Sequence, residues 1–123
     1  MSYNQTSFEN NEEVAKSPGI LYLVVLVNKV SLERECIKIG ITKGKSWKDA
    51  IKRSRGFDGY EIRIQKIVEG SLEEVYFLEQ YLHEKYAEYR LKPTHKFGGH
   101  TECFEISVLK NVLEDIKKCR ISG

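Results

Sequence analysis

The sequence predicts an α+β fold, a small three-stranded antiparallel sheet flanked by helices, and three patterns point to it. Residues 20–27 form an unbroken apolar or aromatic run, rich in valine and bounded by Pro18-Gly19 and Asn28. Residues 36–42 alternate, with Ile37, Ile39 and Ile41 on one side and Cys36, Lys38 and Gly40 on the other. Ser71 followed by Glu74 is a capping-box pattern that opens a long segment of helical period.

Taken in order, residues 1–17 hold three acids, one lysine and several Asn, Gln and Ser, and predict a flexible polar arm. The apolar run reads as a central strand buried on both faces, with Tyr22 its only polar side chain. A polar hairpin loop over residues 28–35 leads into the alternating second strand. Ser46 is placed to cap a short helix from Trp47 to about Ser54, ended by Gly56 and Gly59. Tyr60, Ile62 and Ile64 alternate with Glu61, Arg63 and Gln65 as a third strand. The long helix runs from Ser71 to about Arg90, with Leu72, Val75, Glu79, Leu82, Tyr86 and Tyr89 on one face. Pro93 stops it and Gly98-Gly99 mark a turn. Residues 103–106 predict a short extended segment, after which Ser107 caps an amphipathic helix carrying Leu109, Val112, Leu113 and Ile116. Residues 18–106 are thus read as one domain, with residues 107–123 a helix packed on it or extending it.

At 123 residues the chain is long enough for one hydrophobic core and too short for two. Composition is ordinary, 41% apolar and 31% charged, with no apolar run long enough to cross a bilayer. The polar start lacks the basic and apolar regions of a signal peptide. Cys36, Cys103 and Cys119, odd in number and widely spaced, suit a reducing compartment. Together these predict a cytoplasmic protein without a membrane partner. The net charge of +2 hides an uneven distribution. Lys43, Lys45, Lys48, Lys52, Arg53, Arg55, Arg63 and Lys66 face only Asp49, Asp58 and Glu61 in the same stretch, whereas residues 67–90 hold six acids against Lys85 and Arg90. A polyanion would be held on the basic side.

Glu79 is the residue that breaks a pattern. It occupies an apolar position on its helix face between Val75 and Leu82, where packing alone would not place a carboxylate. Pairing with His83 or Lys85 is the alternative explanation. A zinc site from His95, His100 and Cys103 fits no standard spacing and lacks a fourth ligand.

Gly19-Ile20-Leu21-Tyr22, Lys38-Ile39-Gly40 and Leu78-Glu79-Gln80-Tyr81-Leu82 together resemble the GIY-YIG nuclease superfamily. With Tyr81-Leu82-His83-Glu84-Lys85-Tyr86 and Gly99-His100-Thr101-Glu102-Cys103-Phe104, the match is similar to the phage-associated, T5orf172-like branch with a Lys-Ile-Gly second motif. The resemblance covers roughly residues 19–106. It implies a metal-dependent endonuclease that hydrolyses DNA, with magnesium or manganese on Glu79, Tyr22 as general base or water-orienting group, and Lys38 assisting it. Arg53 is implied as the arginine on phosphate, with Arg55 next in line and Lys48 or Lys52 as lysine substitutes. Lys43, Lys45, Lys48, Lys52 and Arg55 would hold the DNA backbone, and His83 would support Glu79. These residue types supply what the reaction needs: an activated water, positive charge against the phosphate and a carboxylate for a divalent cation. Without a separate DNA-reading domain, specificity would be low or come from a homodimer or a partner protein. Lys38 stands where most of the superfamily has tyrosine. The alternative is therefore a binding module of the same fold, weak or inactive in catalysis, acting on nucleic acid or protein.

Overall fold

The computed structural model describes residues 12–44, 59–94 and 102–119. Helix α1 (Glu12–Lys16) leads into β1 (Pro18–Asn28), β2 (Arg34–Lys43), β3 (Tyr60–Ser71), α2 (Leu72–Lys85), β4 (Cys103–Phe104) and α3 (Leu109–Lys118). The fold class is the one the sequence predicts, α+β with an antiparallel sheet. The sheet has four strands, in the order β3-β1-β2-β4, because the extended segment at Cys103 adds a two-residue strand to β2.

The sheet is central because its first two strands have no solvent face. Leu21, Leu23, Val25, Ile37 and Ile39 pack beneath α2 and α3 against Leu72, Val75, Leu78, Leu82, Val112 and Ile116. On the opposite face Val24, Leu26 and Cys36 form a second cluster with Tyr60 and Cys103. Truncating one of the fully buried leucines to alanine would cost about 2–5 kcal/mol.

The β1–β2 hairpin closes on Asn28, whose side-chain oxygen accepts from the main-chain N–H groups of Val30 (2.9 Å) and Ser31 (3.2 Å). This turn brings Leu32 to a φ of 63°, left-handed for a non-glycine residue. Ser71 caps α2 as the sequence predicts: Glu74 N donates to Ser71 Oγ at 3.1 Å, and Ser71 N donates to the Glu74 carboxylate at 3.0 Å. Gly19 lets that first turn close on β1. A Cβ there would lie 2.7 Å from Leu72 Cα and 2.9 Å from Val75 Cγ2.

Four boundaries differ from the sequence expectation. The end of the expected polar arm is helical, and Ala15 is buried in the main core. β3 continues to Ser71, since Ile67 and Val68 pair with Tyr22 and Leu21 past an irregularity between Leu23 and Val24. α2 ends at Lys85, and residues 87–89 tighten into a 3₁₀ turn stapled to the C-terminal part of the chain by Glu105 N–H donating to Tyr89 O (2.8 Å). Ser107 does not cap the last helix, because it lies inside a 3₁₀ turn and the N-cap position is Val108. The expected helix over residues 47–54 lies outside the described residues, as do His95, Gly98, Gly99 and His100.

Candidate functional site

Register puts Tyr22 and Lys38 on the same face. Tyr22 pairs across the hairpin with Gly40, and Lys38 is two residues from Gly40, so both side chains rise from the face opposite α2. Gly40 makes their contact possible. A Cβ at this position would lie 2.5 Å from Tyr22 Oη and 2.9 Å from Lys38 Nζ, so the missing side chain is the space the tyrosine ring fills. Lys38 Nζ donates a hydrogen bond to Tyr22 Oη. It also forms an ion pair at 3.1 Å with Glu102, which immediately precedes β4. The ammonium is nearly sealed, its side chain 3% exposed, while Glu102 keeps 31%.

Protonation states follow from this geometry. Burial raises the Tyr22 pKa and outweighs the opposing charge and hydrogen bond of Lys38, so the hydroxyl is neutral at physiological pH. Burial would strip the Lys38 proton, but Tyr22 and Glu102 outweigh it and hold the lysine pKa above its ordinary value. Lys38 is therefore a fixed cation and not a base.

Glu79 comes from α2, on the other side of the sheet, and reaches this cluster around the edge of β2. β4 pairs with β2 only at Ile37 and Lys38. Beyond them the outward main-chain groups of β2 meet side chains of α2. His83 Nε2 donates to the Ile39 carbonyl at 2.9 Å, and the Ile41 N–H favours the ionised form of Glu79. Glu79 is buried, and its Oε1 accepts from Gln80 Nε2 at 3.3 Å. Its Oε2 is buried with no hydrogen-bond partner among the described residues. Burial, reinforced by the negative charge of Glu102, pushes the Glu79 pKa up to about 8 against the weaker pull of Gln80, Lys38 and Ile41. Glu79 also acts electrostatically on Tyr22.

Neither of the alternative partners holds Glu79. His83 is taken by β2 and packs edge-on against Phe104, with ring centroids 5.2 Å apart. Burial lowers its pKa, so the ring is neutral with its proton on Nε2. Lys85 pairs with Asp115 instead, at 2.9 Å. His83 thus clamps the β2 edge one turn from Glu79.

The structure joins Tyr22 and Lys38 by a direct hydrogen bond, and Glu79 acts on both electrostatically from the edge of β2, one helical turn from His83. Lys43 is exposed at the end of β2. Arg53, Lys45, Lys48, Lys52 and Arg55 lie outside the described residues. Arg63, counted in the basic stretch, pairs in register with Val25 and so stands on the helix-covered side, away from Tyr22, where it meets Glu61 at 3.7 Å. Glu102 is the site residue that sequence reasoning missed. Its signal was an acid immediately before a short extended pair, Cys103-Phe104, in a chain with Lys38 on a strand to neutralise.

The donor set fits a divalent cation of the magnesium type. Such an ion binds through one or two carboxylates and completes its shell with water and phosphate oxygens. Among the described residues Glu79 Oε2 is an oxygen without a partner, and there is no cluster of three or more His, Cys, Asp or Glu that would suit a caged metal. No helix among the described residues is long and apolar enough to cross a membrane.

No curated protein and no solved structure matches the chain significantly. A family model does: the T5orf172 domain, a GIY-YIG-like, nuclease-associated family, matches residues 19–121, from the glycine packed against α2 to beyond α3. With Tyr22, Lys38, Glu79 and Glu102 all inside that span, the chain belongs to the T5orf172 domain family.

Proposed function

We propose that this protein is a metal-dependent endonuclease that hydrolyses DNA phosphodiester bonds, of the phage-associated branch with a Lys-Ile-Gly second motif. The observation that carries the proposal is the buried Glu79 oxygen, without a partner among the described residues, within the field of the Tyr22–Lys38 pair. Burial keeps Glu79 largely protonated at neutral pH, and a bound cation would displace that proton and satisfy the oxygen.

Glu79 would hold Mg²⁺ or Mn²⁺, which supplies Lewis-acid polarisation of the phosphate and a more acidic water. Because Lys38 donates to the Tyr22 oxygen, the tyrosine's own hydrogen is free to orient a water or a phosphate oxygen. A neutral Tyr22 favours water orientation over direct proton abstraction. Lys38 adds fixed positive charge where negative charge develops. Arg53 is proposed as the two-pronged phosphate donor, or Arg55 in its place. Lys43, Lys45, Lys48, Lys52 and Arg55 would hold the backbone, with specificity supplied by a homodimer or a partner protein and the activity exercised in the cytoplasm.

A plasmid nicking assay with magnesium, manganese or EDTA tests this. Nicking that requires metal and vanishes in Glu79→Ala and Tyr22→Phe is expected, and nicking that survives both substitutions overturns the site. A second reading, a DNA-binding module of the same fold without efficient catalysis, draws on Lys38: it stands at a tyrosine position and is already ion-paired to Glu102. Salt-sensitive DNA binding without turnover, unchanged in Glu79→Ala, would favour it.

A further inference from the structure

We propose that Glu102 is a positioning residue of the site, acting through Lys38 by holding its ammonium against the Tyr22 hydroxyl. The inference rests on the endonuclease reading and adds to it a residue from the far end of the domain.

The argument begins with a sealed cation. A buried ammonium must be compensated by a negative charge, since a neutral hydroxyl relieves only part of the desolvation cost. Two carboxylates act in this region, Glu79 from α2 and Glu102 from the approach to β4. Glu79 cannot serve both a cation and Lys38, and it is the one with the unpartnered oxygen. Glu102 makes the direct contact, at 3.1 Å. Tyr22 of β1 and His83 of α2 also bear on Lys38, both neutral at physiological pH.

The fold invests several contacts in placing this one acid. β4 is two residues long, yet Phe104 is fully buried in the main core and Cys103 in the opposite cluster. Leu91 N–H donates to Cys103 O at 3.1 Å, and Lys38 pairs in register with Cys103. Pinned from both faces and both edges, β4 delivers Glu102 to the Lys38 ammonium. Without that carboxylate the pull of Glu79 on Lys38 goes unopposed by Glu102, which would loosen the lysine from Tyr22 and set it in competition with the metal.

A double-mutant cycle separates this role from independent catalysis and from plain stability. Wild type, Glu102→Gln, Lys38→Met and the double variant are compared for kcat and KM in metal-dependent plasmid nicking, with thermal unfolding of each. Glu102→Gln is expected to lower kcat by about 10-fold or more with KM within about 2-fold, and to change kcat less than about 2-fold when Lys38 is already methionine. Equal losses in both backgrounds would show that Glu102 acts on its own and overturn the proposal. Glu102→Asp, which keeps the charge on a shorter arm, gives an intermediate kcat and replaces Glu102→Gln in the cycle should that variant not fold. If wild type nicks with neither metal, the endonuclease reading fails separately. The unfolding cycle then decides: a larger loss of Tm for Glu102→Gln in wild type than in Lys38→Met supports the ion pair, and equal losses remove it.

Discussion

Two clusters in this domain draw on the same chemistry, a lysine, a tyrosine and a carboxylic acid, and differ in how far they are satisfied. Between α2 and α3, Asp115 accepts from Lys85 at 2.9 and 3.0 Å and from the Tyr86 hydroxyl. Burial would raise the Asp115 pKa, but Tyr86 and Lys85 outweigh it and hold it below the usual aspartate value, while Tyr86 is pushed up to about 12. At the other cluster Lys38 is claimed by Glu102, and Glu79 is left with an unpartnered oxygen and a pKa of about 8. The first trio is closed and ties two helices together. At the second, one Glu79 oxygen has no partner among the described residues, and a cation would supply one. Similar side chains thus serve cohesion where every acceptor is filled, and ligand capture where one is left open.

The comparison is broken most decisively by exchanging the acids. Glu79→Ala should lower metal-dependent nicking by about 10³-fold, the scale of losing a metal or electrostatic group, whereas Asp115→Asn should leave the nicking rate of folded protein within about 2-fold. Comparable losses in both would mean that the clusters do not differ in kind. Next in size is Gly40→Ala. The added methyl collides with Tyr22 and Lys38, and we expect about 1–3 kcal/mol of destabilisation by denaturant melts together with loss of nicking.

Stability against pH sharpens the contrast because the two acids shift in opposite directions. Glu79 is raised, so the folded state binds its proton more tightly than the unfolded chain. In EDTA, stability should fall as pH rises from the ordinary glutamate range through about 8, and Glu79→Gln should flatten that slope, with magnesium restoring stability at pH 8 to wild type alone. Asp115 is lowered, so its contribution is present above the ordinary aspartate range and fades as pH falls through the folded value. Asp115→Asn should therefore be less stable than wild type by about 1–3 kcal/mol at pH 7 and converge with it in acid, as thermal melts would reveal. The smallest effect concerns DNA. Lys43→Ala should weaken binding a few-fold and flatten its salt dependence by about one counterion, and Arg63→Ala, whose guanidinium already meets Glu61, should change both less.

Much of the first cluster's rival was legible in the sequence. Alternation fixed the face of Lys38, the apolar run made Tyr22 conspicuous, and Glu79 stood out as an acid at a core position of its helix. These are local signals, and local signals survive without a structure. The fourth strand and Glu102 were not legible as site elements, because a two-residue strand has no period and its partner lies in β2, far back along the chain. The end of α2 was overrun for a related reason: Tyr86 and Tyr89 continue the helical spacing, but the contact of Tyr89 with Glu105 turns the chain out of the helix. Lys43 was the one member of the expected DNA-holding set among the described residues.

The placement of β4 also bears on how the chain is made. Synthesis delivers β1 and β2 before β4, with Tyr22 and Lys38 already on a hairpin that local contacts can form. The carboxylate that neutralises Lys38 leaves the ribosome 64 residues after it. Until then the hairpin carries a cation that it cannot bury, and its polar face stays hydrated. Docking of the final strand is thus the event that dries this face, so a truncated translation product would present the early motifs without the competence of the whole.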